Sequence, residues 1–222
     1  MNPIIPSHVE GFYDKLSEQG YSDTYDSQHA KRIDWVVATY GLHFLRNQRI
    51  LDVGAGKGNF FKRLDPSNTF VGLDGAKLGP SGKLCPFLSL RVDLSQPFAH
   101  ILDNEERFDW IICSETLEHV AGIDNLLLEM KKLLKVNGKA IFTIPDVLVT
   151  HPVAFPGLFY PHQNFTIFIE QYAWLIEEQH FFTAGWQTRS FKVRNAPMRE
   201  QKVIFPKDEK LWGQDPIAWT NL

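Results

Sequence analysis

A carboxylate followed by alternating glycines is the first feature of this chain that could do chemistry. Asp52 lies near the end of an apolar run, and Gly54, Gly56 and Gly58 follow it at every second position. Glycine can adopt a positive φ and lets the backbone approach a ligand, and the N–H groups at a following helix N-terminus can bind that ligand. Apolar residues recur at helical spacing after the loop. The stretch therefore predicts a buried strand, a tight loop and a helix.

The spacing of these glycines indicates which kinds of ligand the loop could bind. A dinucleotide fingerprint requires glycine where this chain has Asn59, and a P-loop requires Ser or Thr where it has Gly58. The carboxylate of Asp52 would repel a pyrophosphate but could hold an ammonium group. The loop therefore favours a ligand with a cationic end.

Two carboxylates and an imidazole form a second reactive group. Glu115, Glu118 and His119 follow the apolar run 108–113, and positions one, four and five of a helical turn lie on one face. At the carboxyl end of a strand beside the glycine loop, they would lie where open α/β sheets bind ligands. Such a set could orient a substrate, accept its proton or hold a divalent cation.

Five segments, taken in order, resemble the class I S-adenosylmethionine (SAM) dependent methyltransferases. They are the first motif Asp52–Gly58, the second strand Phe70–Asp74, the third strand Arg91–Leu94, the strand and turn Phe108–Val120, and the helix end, turn and strand Leu133–Phe142. The resemblance implies an α/β fold with a seven-stranded, mostly parallel, doubly wound sheet in three α/β/α layers. It also implies SAM as the cofactor.

The same resemblance implies roles for single residues. The glycine loop would wrap the methionine end of SAM, Asp74 would hold both ribose hydroxyls, and Asp93 would lie by the adenine amino group. Gly75 stands where the family often has a bulky apolar residue against adenine, which leaves Leu94 or Ala76 for that contact. The predicted cofactor-binding residues are Asp52, Gly54, Gly56, Gly58, Asp74, Asp93, Leu94 and Ser114.

The Glu-x-x-Glu-His turn leaves two interpretations open. In many small-molecule methyltransferases a similar turn frames the site, which would make Glu115, His119 and His162 catalytic, with His119 orienting the acceptor or taking its proton. In a subset, including methyltransferases of small-RNA 3′ ends and of ubiquinone precursors, the two acids and the histidine hold a divalent cation. Mg²⁺ or Mn²⁺ would then be bound by Glu115, Glu118, His119 and His162, with His151 in reserve. The turn is more widespread than metal dependence, which favours a site without a metal.

The flanking segments are expected to surround this core. Residues 1–48 are predicted to be a helical lid segment of the same domain, with a helix over 29–46 and with Tyr21 and Tyr25 as candidate lid contacts. Residues 49–206 would form the SAM-binding domain. Its aromatic and proline-rich stretch 145–166 is predicted to cap the acceptor pocket.

The last part of the chain is predicted to complete the sheet. Residues 167–180 carry a helical pattern, and residues 185–193 and 201–205 are predicted to be two antiparallel strands. A C-terminal tail, 207–222, carries two tryptophans without an assignable role.

The amino-acid composition and net charge indicate which kinds of partner this chain could bind. The 222 residues are 44% hydrophobic, enough for one core, and a net charge of −3 leaves no overall electrostatic footprint for nucleic acid. No apolar run approaches membrane-spanning length, the first ten residues do not resemble a signal peptide, and the two cysteines do not make a disulfide framework. A cytoplasmic protein without a membrane or nucleic-acid partner is therefore expected.

We therefore predict a methyltransferase that acts on a small polar acceptor, on oxygen in preference to nitrogen. The Asn/Asp-Pro-Pro-aromatic turn used for amino methylation of nucleobases is absent at residues 114–117. Three alternatives stay open: a SAM-binding adaptor or subunit without catalysis, a metal-dependent RNA 3′-end 2′-O-methyltransferase, and a nicotinamide oxidoreductase. The sequence does not determine the acceptor or the oligomeric state.

Overall fold

A computed structural model describes residues 23–75, 87–102, 106–120, 122–145, 169–182 and 188–196. Its strands are β1 Arg49–Val53, β2 Thr69–Asp74, β3 Phe87–Arg91, β4 Phe108–Ser114, β5 Leu134–Pro145, β6 Trp174–Phe182 and β7 Thr188–Asn195. Its helices are α1 Asp23–Thr39 and α2 Ile123–Leu133, with 3₁₀ turns at Leu42–Phe44, Phe61–Arg63, Ala99–Leu102 and Leu117–His119. In these ranges, no helix combines the length and apolarity that a membrane span requires.

The seven strands form one sheet in the order β3-β2-β1-β4-β5-β7-β6. Neighbouring strands from β3 to β5 are parallel, and β7 runs antiparallel to both β5 and β6. The chain moves outward from β1 to β3 and then returns to β4 on the other side of β1, which makes a topological switch point between β1 and β4. The predicted seven-stranded, mostly parallel sheet is confirmed, and its switch point is where such sheets bind ligands.

Alternate residues of the strands face two different layers. On one face, α1 packs against the sheet through a cluster that includes Ile33, Val36, Val37, Tyr40, Leu42, Ile50, Phe70, Ile112 and Ile141. On the other face, α2 packs through a cluster that includes Leu51, Val53, Val71, Leu73, Ile111, Phe142, Ile123, Leu126, Leu127 and Met130. The predicted three-layer arrangement follows from this alternation.

The helix predicted over 167–180 is wrong. Among the described residues, a short helical turn at 169–171 precedes β6, which begins at Trp174 and pairs with β7. From Trp174 to Gln179, more buried and more exposed side chains alternate, which is the period of a strand rather than of a helix. Hydrogen-bond pairing with β7 therefore outweighs the helical spacing of the apolar residues. As a result, the segment predicted over 185–193 as the sixth strand is the seventh strand, β7.

Two further boundaries differ from prediction. The helix predicted over 29–46 runs instead from Asp23 to Thr39, and Gly41 follows in the left-handed region with φ 63°. After the glycine loop, the predicted helix is only a 3₁₀ turn, because Leu64 takes extended backbone and Pro66 follows shortly after it. The strand predicted over 201–205 and the tail 207–222 lie outside the described residues.

A buried hydrogen bond joins α1 to the antiparallel end of the sheet. The Tyr40 hydroxyl donates to Ser190 Oγ at 2.7 Å, across 150 positions of sequence. Burial raises the pKa of Tyr40 to about 12, so this phenol keeps its proton at neutral pH.

Replacing Tyr40 with phenylalanine is expected to lower the free energy of unfolding by about 1 kcal/mol, because a buried hydrogen bond is lost without a change of shape. Urea denaturation of Y40F, S190A and the double variant measures this. Strict additivity of the two single effects would contradict the bond, since interacting residues show a coupling energy.

Candidate active site

The glycine loop turns sharply at the carboxyl end of β1. The N–H groups of Gly54 and Ala55 both donate to the Leu73 carbonyl, at 2.8 and 3.0 Å, so the loop is fastened to β2. Gly54, Gly56 and Gly58 have φ values of 79°, 49° and 67°. These lie in the left-handed region that favours glycine, as the alternating spacing predicted.

The two sides of the loop differ in the space around them. A Cβ atom on Gly54 would lie 2.0 Å from Thr116 Oγ1, whereas one on Gly56 would meet no atom of the described residues within 4 Å. Thr116 itself is held by donating to the Val53 carbonyl at 3.2 Å. The loop is therefore packed against the turn after β4 at Gly54 and is open at Gly56.

Two carboxylates flank the loop. Asp74, the last residue of β2, accepts a hydrogen bond at Oδ2 from the Gly56 N–H at 2.7 Å. Asp52 is 2% exposed, and within the described ranges its Oδ2 has no hydrogen-bond partner. Burial and the nearby Asp74 carboxylate raise the pKa of Asp52 to about 8. Asp52 is thus a buried acid that would gain from a cationic partner.

A third carboxylate, that of Asp93, lies just after β3 and not within it, because the third strand is Phe87–Arg91 where Arg91–Leu94 was predicted. Asp93 Oδ1 accepts from the N–H and the hydroxyl of Ser95 at 2.9 and 2.6 Å. Its other oxygen is buried and lacks a hydrogen-bond partner in the described part of the chain. Leu94 beside it is buried. The Ser95 contacts fix the direction of the carboxylate and leave one oxygen available to a donor.

The turn after β4 places Glu115 in an uncommon backbone conformation, with φ 50°. Its N–H donates to the Thr143 carbonyl and hydroxyl, at 3.1 and 3.0 Å, and its carboxylate accepts from that hydroxyl at 2.9 Å. Arg32 of α1 forms a buried ion pair with the other carboxylate oxygen at 3.6 Å. Glu115 is therefore held from both the sheet and α1.

Glu118 and His119 lie together beyond this turn. His119 Nε2 is 3.6 Å from Glu118 Oε1, and neither oxygen of the buried Glu118 has a hydrogen-bond partner among the described residues. Burial, with the Glu115 carboxylate nearby, raises the pKa of Glu118 well above its usual range. Across the described ranges, no three Asp, Glu, His or Cys side chains converge in a way that could hold a metal ion.

The fold brings most of the predicted site residues to one edge of the sheet. Asp52, the three glycines, Asp74, Asp93 and Leu94 surround the loop, and Ser114, Glu115, Glu118 and His119 follow β4. His151, His162, Tyr21 and most of the predicted cap 145–166 lie outside the described residues, as does the Tyr25 side chain.

Three residues that sequence reasoning missed complete the site: Arg32, Thr116 and Thr143. Arg32 lies four and eight positions before Val36 and Tyr40, on the buried stripe of α1. The sequence contains a signal for Arg32, because an arginine among the apolar positions of a helix is rarely buried unless it has a charged partner. A Thr within a buried strand, such as Thr143, gives no comparable signal.

A seven-stranded sheet with this strand order, a glycine loop after β1 and acids at or just beyond the carboxyl ends of β1, β2 and β3 defines the Rossmann-like class of SAM-binding methyltransferases. The methyltransferase-domain family matches residues 25–183 of the sequence. The chain belongs to this methyltransferase family. The family that the motifs predicted is confirmed.

Relatives with named activities cover part of the chain. The ubiquinone biosynthesis O-methyltransferase of Pelagibacter ubique is 32% identical over 124 residues, which are 52% of this chain and 50% of that protein. The protein of the same name from Rickettsia prowazekii is 26% identical over 153 residues, 64% of this chain and 60% of that protein. The chain spans about half the length of the first of these relatives.

Solved structures share the fold at lower identity. The magnesium protoporphyrin IX methyltransferase of Synechocystis PCC 6803, with bound SAH, has a TM-score of 0.64 and 13% identity over 86% of this chain and 99% of that chain. The 1,6-didemethyltoxoflavin-N1-methyltransferase of Burkholderia thailandensis has a TM-score of 0.63 and 16% identity over 89% and 93% of the two chains. Because these proteins act on different acceptors, the shared architecture defines the fold and not the acceptor.

Proposed function

We propose that this chain is a SAM-dependent methyltransferase that methylates a hydroxyl oxygen of a small polar acceptor. One observation carries the proposal: Asp52, Asp74 and Asp93 lie at the carboxyl ends of three neighbouring parallel strands beside the glycine loop, and Asp52 and Asp93 each have a buried oxygen with no hydrogen-bond partner among the described residues. The curated relatives, whose names specify O-methylation, support oxygen as the acceptor atom.

The hydrogen-bond acceptors around the loop fit SAM. Its ammonium group suits the buried Oδ2 of Asp52, which has no hydrogen-bond partner among the described residues. Its ribose hydroxyls suit Asp74 at the end of β2, and its adenine amino group suits the second oxygen of Asp93. The open space at Gly56 leaves the backbone accessible to the methionine end. When bound, SAM supplies an electrophilic methyl group. The protein aligns the acceptor, excludes water and removes a proton.

The acceptor end of the site is assigned to the turn after β4. Glu115 and His119 are the residues that would orient the acceptor hydroxyl or take its proton. Glu118, whose carboxylate lies 3.6 Å from His119 Nε2 and accepts no hydrogen bond from the described residues, would face the same space. His162, which also belongs to the proposed catalytic set, would join them from the predicted cap. A hydroxyl that donates to one of these groups would be a better nucleophile than one exposed to water.

The proposal can be extended to a divalent cation bound by the turn after β4. Two carboxylates and an imidazole suit Mg²⁺ or Mn²⁺, and such an ion would lower the pKa of the acceptor hydroxyl. Glu118 and His119 lie within 3.6 Å of each other, whereas Glu115 is bonded to Thr143 and Arg32. Glu115 would therefore have to exchange a protein partner for the ion.

Calorimetric titration and a transfer assay test the proposal. SAM and its product SAH are titrated into the protein with EDTA, with Mg²⁺ and with Mn²⁺, and methyl transfer from labelled SAM is then measured on catechols, aliphatic alcohols and amines. Micromolar binding and a methylated hydroxyl product would support the proposal. Binding without transfer to any acceptor would favour an adaptor role, and the absence of SAM binding would refute the proposal.

The affinity for SAH is expected to pass through a maximum near pH 8. Below that pH, both Asp52, with its pKa of about 8, and the ligand amino group carry a proton, and the ion pair requires release of one of them. Affinity should then rise by up to about tenfold per pH unit as the pH increases toward 8. Above pH 8 the amino group, with an ordinary pKa of about 7.7–8.0, loses its own proton and affinity falls.

Calorimetry in two buffers of different ionisation enthalpy checks this expectation, because proton release below pH 8 changes the observed heat. The D52N variant is the control, since asparagine cannot ionise and its acid limb should disappear. An affinity for SAH that does not change between pH 6 and 8 in the wild type would contradict an ion pair at Asp52.

A further inference from the structure

One buried hydroxyl of β5, that of Thr143, has all of its hydrogen-bonding capacity in use. Thr143 is 0% exposed. Its hydroxyl donates to the Glu115 carboxylate at 2.9 Å and accepts from the Glu115 N–H at 3.0 Å. Because its own proton is used in this way, the Ser114 hydroxyl at 2.8 Å must be a donor to it. A hydroxyl has one donor and two acceptor positions, and here all three are occupied.

These contacts define the conformation of a residue at the acceptor end of the site. Glu115 has φ 50°, which is unfavourable for a residue with a Cβ and persists only where the surroundings over-determine it. The Thr143 carbonyl accepts from the same N–H at 3.1 Å, so backbone and side chain of one residue hold Glu115 at both its N–H and its carboxylate. Thr143 therefore fixes where the carboxylate points.

Thr143 belongs to a row of three hydroxyl side chains on neighbouring strands, and one of the other two can serve as a control for general packing. Ser114, Thr143 and Ser190 are register partners on β4, β5 and β7, and all lie on the α1 face of the sheet. Ser190 accepts from Tyr40 and, in the part of the chain that the structure describes, makes no hydrogen bond to the turn that carries Glu115, whereas Thr143 makes three hydrogen bonds with Glu115. Ser190 is thus a matched buried hydroxyl one strand away.

We propose that Thr143 is a positioning residue, which holds the Glu115 carboxylate toward the bound acceptor through the Thr143 hydroxyl. The effect on methyl transfer rests on the proposed function. The hydroxyl makes no hydrogen bond to the cofactor acids Asp52, Asp74 and Asp93. Among the described residues, its one hydrogen bond with the predicted cofactor-binding set is with Ser114 Oγ, at 2.8 Å. Its loss is therefore expected to act mainly on Glu115 and to have only a small effect on cofactor affinity.

Three variants test this proposal. T143V removes the hydroxyl with little change of shape, T143S retains it, and S190A removes the neighbouring hydroxyl of the same row. The measurements are the backbone amide resonance of Glu115 by NMR, the affinity for SAH by calorimetry, and kcat for methyl transfer to the best acceptor of the panel above. Thermal unfolding of each variant reports the general loss of stability.

T143V is expected to shift the Glu115 amide resonance and to lower kcat by roughly 10-fold to 100-fold, the range for a misplaced reacting group, with SAH affinity within about 2-fold of wild type. T143S should restore both values, and S190A should lower the melting temperature without moving either. An unmoved Glu115 amide in T143V, or equal effects in T143S or S190A, would overturn the proposal. If the wild type binds SAH but methylates no acceptor, the proposed function fails, and the amide resonance alone decides the role of Thr143.

Discussion

An alanine at position 54 is expected to lower the free energy of unfolding by about 2–5 kcal/mol, from about 1–2 kcal/mol for a left-handed conformation and about 1–3 kcal/mol for overpacking. The φ of Gly54 is 79°, and its Cβ would lie 2.0 Å from Thr116 Oγ1 and 2.8 Å from Thr116 Cβ. Thr116 cannot easily move away, because its hydroxyl donates to the Val53 and Ser114 carbonyls. The loop would have to shift, and SAM binding should be lost with it.

Alanine at Gly56 is the matched comparison. This glycine also has a positive φ, but within the part of the chain that the structure describes its Cβ would meet no atom within 4 Å, so G56A should cost only about 1–2 kcal/mol. The added methyl group would project into space proposed for the cofactor, so SAH affinity should still fall. Urea denaturation and calorimetry separate the two variants. Equal stability of G54A and G56A would show that the contact with Thr116 does not constrain the loop.

Replacing Asp74 with alanine is expected to weaken SAH binding by about 1–3 kcal/mol, which is about 5-fold to 150-fold. The carboxylate would lose the ribose hydroxyls and the hydrogen bond with the Gly56 N–H, which spans 2.7 Å and orders the loop. Both losses act on the same ligand. Calorimetric titration of D74A with SAH measures their sum.

The control for this variant is D109A, because Asp109 lies at the opposite end of the sheet. It accepts from the Arg49 N–H at 2.9 Å and pairs with Lys135 at 2.6 Å, near the amino ends of β1 and β4. D109A should lower stability modestly and leave SAH affinity as in the wild type. Unchanged affinity in D74A, or an equal loss in D109A, would refute the ribose role of Asp74.

The cofactor half of the site could be predicted because its signals are local. The glycines at 54, 56 and 58 need positive φ, and their alternation is visible within a few positions of sequence. Asp52, Asp74 and Asp93 each lie at or just beyond the end of an apolar strand, and the carboxyl ends of parallel strands meet at one edge. The strand order of the sheet then places these three acids near one another, although they come from different segments of the chain.

The helix predicted over 167–180 shows where local pattern is insufficient. Ile169, Tyr172 and Ile176 have helical spacing, but the segment from Trp174 is a strand because β7 offers it a ladder of hydrogen bonds and a buried position for Trp174. Short apolar segments are compatible with either period. The partner strand decides between them.

The sequence by itself determined the parallel part of the sheet, the position of the glycine loop and the acids around it, since these depend on residue types a few positions apart. Only the tertiary structure decided how the acceptor end is held. Arg32 and Thr143 reach Glu115 from α1 and β5, and Thr116 closes against Gly54. Such contacts join residues that are distant in the chain, and their geometry depends on how the two layers and the strands pack. No spacing within one segment encodes that packing.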